Sequence, residues 1–221
     1  EGCLNILLAA KRNGVRNVLI CSSTASTNPN IEIKEKNEID HWSDELTQIK
    51  NKKFTSAAKT VMEKRAIKFC KENNIRLCIL LPTGLYGELL MPDHLRHNPY
   101  SWLDRLLNGG DPRHSICPDD SISMIHTEDL AELFLNAFEC DSCEGRFFGV
   151  YKSLHWEDIY RECERQIPDM IKPKYSNTKS TKPTAFDFAR RDSLGVELRD
   201  FPTMLAQTLE SLRQNKIKSS K

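Results

Sequence analysis

Ser22 and Ser23 close an apolar stretch, VRNVLIC at 15–21, that has the length and composition of a short buried strand. Lys59 falls on the first turns of the best amphipathic helix in the chain, 55–73, and a second apolar stretch at 75–81 stops at Pro82-Thr83-Gly84. In parallel α/β sheets, ligands bind beyond the carboxyl ends of the strands. A serine at one strand end, a lysine on the following helix and a proline turn at the next strand end would therefore converge on one ligand site. Two other spacings suggest chemistry. Cys140-x-x-Cys143 has the spacing of a redox or metal pair. A structural zinc needs four ligands, and no second pair stands at finger spacing, so these read as ordinary loop thiols. His94-x-x-His97 lies among Pro, Asp and Asn and reads as a solvated loop, so no metal site is expected.

The elements that must position these residues follow from periodicity. Residues 2–13 read as a helix with a broad apolar face, stopped by Asn13-Gly14. The polar stretch 24–52 is long for a structureless connection and should carry function or short elements of its own. Two continuous apolar strands separated by a helix make a βαβ unit, which implies a parallel sheet covered on both faces. Residues 83–125 are rich in Gly, Pro, Asp and His and read as loops plus a short helix at 100–107. Thr127 is an N-cap, with Glu128 and Asp129 in the first turn of a helix running to 138. His126, just before it, reads as a structural hydrogen-bonding residue. A strand at 146–151, an amphipathic helix at 156–166, a proline-broken loop at 168–187, a last helix opened by Pro202 and a frayed tail at 216–221 complete the chain. Trp42 and Trp156 read as packing anchors, and the lysines of 50–53 as a solvated face.

Composition excludes whole classes of function. The 221 residues carry 32 Lys+Arg against 31 Asp+Glu, a net charge of +1, which argues against bulk electrostatic nucleic-acid binding. No stretch approaches the roughly 18 apolar residues of a spanning helix. No secretory signal opens the chain, so a reducing, cytoplasmic compartment is expected and the eight cysteines should be mostly thiols.

In order along the chain, GCLNILLAAKRNGVRNVLICSST, IDHWSDE, KTVMEKRAIKFCKENNIRLCILLPTGLYG, SMIHTEDLAELFLNAFE and DSLGVELRDF resemble segments of the extended short-chain dehydrogenase/reductase family. The likeness is to its dihydroflavonol reductase and cinnamoyl-CoA reductase-like branch, with 3β-hydroxysteroid dehydrogenases as relatives, and it covers nearly the whole chain. The resemblance implies the C-terminal part of a Rossmann-type doubly wound parallel sheet, with a smaller mixed α/β substrate lobe. Residues 1–139 would belong to the nucleotide domain, with a substrate-lobe insertion at about 83–124, and 140–215 mainly to the lobe and closing helix. It implies an NADP or NAD cofactor, a small-molecule carbonyl or alcohol substrate, and a monomer or homodimer without nucleic-acid or membrane partners. Ser23 would orient the substrate carbonyl and Lys59 would hold the nicotinamide ribose. Pro82, Thr83 and Leu85 would line the cofactor; Asn28 and Tyr86 would line the substrate.

Two departures qualify that expectation. The family has a proton-donating Tyr four residues before its Lys; here that position is Thr55, with Phe54 beside it. An aliphatic hydroxyl is shorter and a far weaker acid than a phenol, whose ordinary pKa is about 10. Ser56 or a water would have to stand in, so impaired or absent turnover is expected. The sequence also contains no G-x-x-G-x-x-G or G-x-G-x-x-G turn for a pyrophosphate. With Glu at position 1, the chain reads as an N-terminally incomplete member. The alternatives are a non-catalytic nucleotide- or partner-binding relative, and a gene-product fragment without independent activity.

Overall fold

The chain forms, in order, α1 (Gly2–Arg12), β1 (Asn17–Cys21), α2 (Glu45–Lys50), α3 (Phe54–Glu72), β2 (Arg76–Pro82), β3 (Leu85–Tyr86), α4 (Tyr100–Leu107) and β4 (Ser121–His126). There follow α5 (Thr127–Glu139), β5 (Gly145–Gly149), β6 (Lys152–His155), α6 (Trp156–Gln166), α7 (Ala189–Asp192) and α8 (Phe201–Ser219). This computed structural model describes residues 1–176 and 180–219; α8 continues through 216–219, which corrects the expected frayed tail there, while 220–221 of that tail and 177–179 of the expected loop lie outside the described residues. Two compact units result: Glu1–Thr83 with Leu130–Gly149 and Phe186–Val196, and Gly84–Asp129 with Val150–Ala185 and Glu197–Lys221.

The first unit is built on a parallel sheet of order β1-β2-β5. Leu77 to Leu81 of β2 are all buried, as a central strand covered on both faces requires. The sequence predicts a buried β1, but its residues are half-buried or exposed. The physical reason is position: β1 is an edge strand, hydrogen-bonded on one side to β2 among the described residues. β1 and β2 run in register from Asn17 opposite Arg76 to Cys21 opposite Leu80, so their carboxyl ends finish side by side. Pro82 pairs with Gly149 at the end of β5. A Cβ at Gly149 would come within 2.7 Å of Leu130 Cδ1 and 3.3 Å of Pro82 Cα, so this strand end is packed around a bare glycine. At the other end of the sheet, Arg76 donates to the carbonyls of Ala137 (2.9 Å) and Cys140 (2.8 Å), closing the C-terminus of α5. Cys140 and Cys143 form a disulfide across this turn, with a Cα–Cα distance of 5.3 Å, which corrects their reading as free loop thiols. The other six cysteines form no disulfide among the described residues.

The second unit packs a small sheet against helices. β3 lies parallel to β4, and β4 antiparallel to β6. The sequence predicts loops at 83–125 and one strand across 146–151, so β3, β4 and β6 are additions. They are short, and β4 carries Ser121 and Ser123 in its sequence SISMIH, too brief and polar for an apolar run to announce them. Their core is aromatic: Trp102 meets Trp156 and Tyr160 edge-on at 6.0 and 6.3 Å between ring centroids. α8 closes it, with the Thr208 and Ser211 hydroxyls accepting the backbone N–H groups of Gly87 (2.8 Å) and Leu89 (2.9 Å).

Gly84 has a firm structural reason. Its φ is +52°, and a Cβ there would overlap the Ser123 carbonyl oxygen. Gly84→Ala is expected to cost about 2–3 kcal/mol, combining left-handed strain with a backbone clash. Thermal unfolding should register this as a midpoint lowered by about 4–12 °C; an unchanged midpoint would show that the turn relaxes freely.

Candidate active site

α3 carries the residues that face the carboxyl end of β1. Its buried positions are Ser56, Ala57, Thr60, Glu63, Ala66 and Cys70, a stripe at three- and four-residue spacing. Lys59 lies beside that stripe, half-buried, and its Nζ donates to the Cys21 carbonyl at 3.2 Å. The lysine thus reaches the last residue of β1, two positions before Ser23. Thr55 stands one turn earlier on the same helix face and is exposed. Thr55 and Lys59 line one cavity of about 700 Å³, together with Cys3 and Leu4 of α1, Ile49 of α2, and Met62. Burial pushes the Cys21 thiol up, with the Lys59 charge pulling it the other way.

Ser23 serves a backbone purpose as well. It caps the short 3-10 turn Thr24–Ser26, its Oγ accepting the Ala25 N–H at 3.2 Å. Ser56 donates its hydroxyl to the Ala25 carbonyl and is buried, so this hydroxyl is committed to holding the turn. Asn28 is exposed; its N–H donates to Ser43 Oγ at 2.9 Å, and its side-chain carbonyl accepts from Lys36. Pro82 is buried at the end of β2, with half-buried Thr83 following. Leu85 and Tyr86 belong to the second unit. Leu85 lines a cavity there. Tyr86 is buried in that unit's core, edge-on to Phe201 at 5.6 Å, and burial pushes its hydroxyl far up.

Beneath Ser22-Ser23 lies a buried polar network that periodicity alone does not announce. Ser22 donates to Glu63, and Glu63 pairs with Arg146 Nε at 2.8 Å. The Arg146 guanidinium also donates to Ser26 Oγ (2.9 Å), the Glu38 carbonyl (2.7 Å) and the His41 carbonyl (3.1 Å). Trp42 covers it, with the guanidinium carbon 3.6 Å from the ring centroid. This confirms Trp42 as a packing anchor and gives the anchored object: the charge that fixes the strand end. Burial is the larger influence on Glu63 and pushes its carboxyl up, against the pull of Arg146. The available signal was a glutamate one turn after Lys59, interrupting an otherwise small and apolar stripe.

A nicotinamide nucleotide can be tested against these residues. Lys59 presents an ammonium on a cavity wall over a strand's carboxyl end, which suits the hydroxyls of a ribose. Among the described residues the pyrophosphate finds no matching cradle: each helical turn that directly follows β1, β4 or β6 has a leading N–H already taken by a side chain. Ser23 takes that of Ala25, His126 Nδ1 takes that of Glu128 (3.2 Å), and His155 Nδ1 takes that of Glu157 (3.1 Å). His126 makes the structural hydrogen bond expected of it. No group of three His, Cys, Asp or Glu that could hold a metal occurs among the described residues. No described helix is long and apolar enough to cross a membrane.

The model of the NAD dependent epimerase/dehydratase family matches residues 1–146. The chain is 28% identical over 220 residues to cinnamoyl-CoA reductase 2 of Medicago truncatula, covering 97% of this chain and 64% of that protein. It is 25% identical over 224 residues to dihydroflavonol 4-reductase of Callistephus chinensis, covering 97% of this chain and 60% of that protein. The chain therefore spans less than two thirds of the length of these relatives. Among solved structures, vestitone reductase from alfalfa (Medicago sativa) superposes with a TM-score of 0.81 at 17% identity, covering 97% of this chain and 70% of that one. Gre2 from Candida albicans gives a TM-score of 0.79 at 19% identity, covering 97% of this chain and 70% of that one. These structures share the Rossmann-type α/β fold.

Proposed function

The chain belongs to the NAD-dependent epimerase/dehydratase family, and from that membership we propose an NAD(P)-linked oxidoreductase site of impaired catalytic power on the α3 face at the end of β1. Its reaction class is reduction of a ketone or aldehyde, or oxidation of the matching secondary alcohol. The observation that carries this reading is the pairing of Thr55 and Lys59, one turn apart on one cavity wall, with Lys59 drawn to the carbonyl of Cys21. NADP(H) is the favoured cofactor, because the yeast methylglyoxal/isovaleraldehyde reductase Gre2, with which the fold is shared, was solved with NADPH. A bound nicotinamide supplies hydride. The protein's own contribution is geometric and electrostatic. Lys59 binds ribose hydroxyls and places a positive charge where negative charge develops. Ser23, held by its turn, presents a hydroxyl toward a carbonyl oxygen, and Pro82 and Thr83 shape the neighbouring strand end. The Thr55 hydroxyl is too short and too weak an acid to deliver the proton a phenol would, so turnover is impaired.

NADPH binding by the native protein tests this reading directly. Titration of the nicotinamide fluorescence should give saturable binding, and Lys59→Met should weaken it about tenfold, the scale of one charge-assisted contact. Saturable binding unaffected by Lys59→Met would move the cofactor elsewhere, and no binding at all would refute the assignment.

A further inference from the structure

The second unit contains a cavity of about 450 Å³ that the catalytic reading does not use. Four large apolar side chains are exposed within eleven residues of its rim segment: Leu85, Leu90, Met91 and Leu95. Leu85 and Leu90 line the cavity, joined by Ile122 of β4 and the ring of Tyr100. Water is a poor solvent for such a surface, and an apolar body that covered it would be held. The same cavity is lined by Arg113, His94 and His97.

Arg113 stands apart from the other arginines of its unit. Arg96, Arg161, Arg165, Arg199 and Arg213 each pair with a carboxylate, and Arg105 donates to the Asp111 carbonyl at 2.8 Å. Arg113 has no ion pair or hydrogen bond among the described residues. It lies over the Trp156 ring, 5.2 Å from the centroid, which holds the guanidinium in place without neutralising it. A planar fork of donors fixed on an indole is suited to a carboxylate. The single acid on the cavity wall, Glu88, is exposed, so water screens its opposition.

We propose that this cavity binds an amphipathic monoanion: an aromatic or alicyclic body seated on Leu85, Leu90 and Ile122, with one carboxylate met by Arg113 and flanked by His94 and His97. A cavity of this size accommodates a ligand of about 10–15 heavy atoms. The histidine pair, with His97 exposed and His94 half-buried, would thus flank the ligand from the solvent side. Calling the ligand a substrate, namely a carbonyl compound that also carries a carboxylate, rests on the oxidoreductase reading; the binding itself does not.

The test uses the full chain and two probes of one shape, 2-naphthoate and its uncharged amide, 2-naphthamide, followed by naphthalene fluorescence. The naphthoate should bind at least tenfold more tightly than the amide. Arg113→Gln should bring the two within about threefold, Arg113→Lys should keep part of the preference, and Leu90→Ser should weaken both probes alike. Circular dichroism melts of each variant establish that the fold is kept, as expected for exposed positions. Equal affinity for the two probes, binding of neither, or an undiminished preference in Arg113→Gln would each overturn the proposal. No nicotinamide enters this assay, so its failure would leave the oxidoreductase reading standing, and absent turnover would leave this cavity standing.

Discussion

Replacing Arg146 by leucine is expected to destabilise the protein by about 3–5 kcal/mol, because it strands Glu63 as a buried charge without its partner. Arg146 and Glu63 are among the most enclosed charged residues of the first unit, at 5% and 0% exposure. The guanidinium serves Glu63, Ser26, and the carbonyls of Glu38 and His41 at once, so one substitution leaves several buried acceptors unmatched. For a chain of this length the loss corresponds to a melting midpoint lowered by about 6–20 °C. The double variant Arg146→Leu/Glu63→Leu should recover much of it, since a matched apolar pair avoids the desolvation cost that the ion pair carries. The pH dependence follows from Glu63. Burial raises its carboxyl pKa in the folded state even with Arg146 present. A raised carboxyl destabilises the fold at pH values above the folded pKa, and that penalty is relieved as pH falls through it. Without Arg146 the opposing pull is gone, so the gap between variant and native protein should narrow as the solution is acidified. Urea unfolding across pH reads this out; a gap that widened on acidification would show that Glu63 is not the stranded charge.

The second large effect concerns position 55. Thr55→Tyr is expected to raise the rate of carbonyl reduction about 10²–10⁴-fold, the usual contribution of a well-placed general acid. Thr55 is exposed on the cavity wall, so a phenol can extend into existing space without displacing packed neighbours. Lys59 lies one helical turn away, where its ammonium favours the phenolate and lowers the phenol's proton affinity from its usual pKa of about 10. The native threonine offers neither the reach nor the acidity. Ser56 does not substitute for it, because its hydroxyl already donates to the Ala25 carbonyl.

What the sequence made legible follows from how strongly each element depends on apolar patterning. β2 was visible as a continuous run because both of its faces are covered. α6 was visible at its full extent, 156–166, because Ile159, Tyr160 and Cys163 form a sharp buried stripe. α3 was found, and its apolar positions Ala57, Ala66 and Cys70 are buried, but Val61 and Met62 are only half-buried while the polar Ser56, Thr60 and Glu63 are enclosed. That inversion arises because the helix packs small and polar groups against the turn at Ser23 and leaves larger ones toward the cavity. β3, β4 and β6 are held by pairing and by α8, which are tertiary features without a local period. The Lys59–Thr55 spacing was readable from the chain alone, whereas the Glu63–Arg146 pair joins positions 83 residues apart and needed the sheet to bring them together. The Cys140–Cys143 bond escaped the reading because the spacing by itself does not separate loop thiols from a disulfide.

The proposed oxidoreductase site on the α3 face at the end of β1 lacks the phenol that would donate the proton. Its most direct test is NADPH oxidation on a panel of aryl and alicyclic ketones and aldehydes by three forms of the protein: unaltered, Thr55→Tyr, and Thr55→Tyr combined with Lys59→Ala. The account predicts a rate near background for the first, a clear rise for the second and a return to background for the third. Full activity in the unaltered protein, or a doubly substituted form as fast as Thr55→Tyr alone, would contradict it.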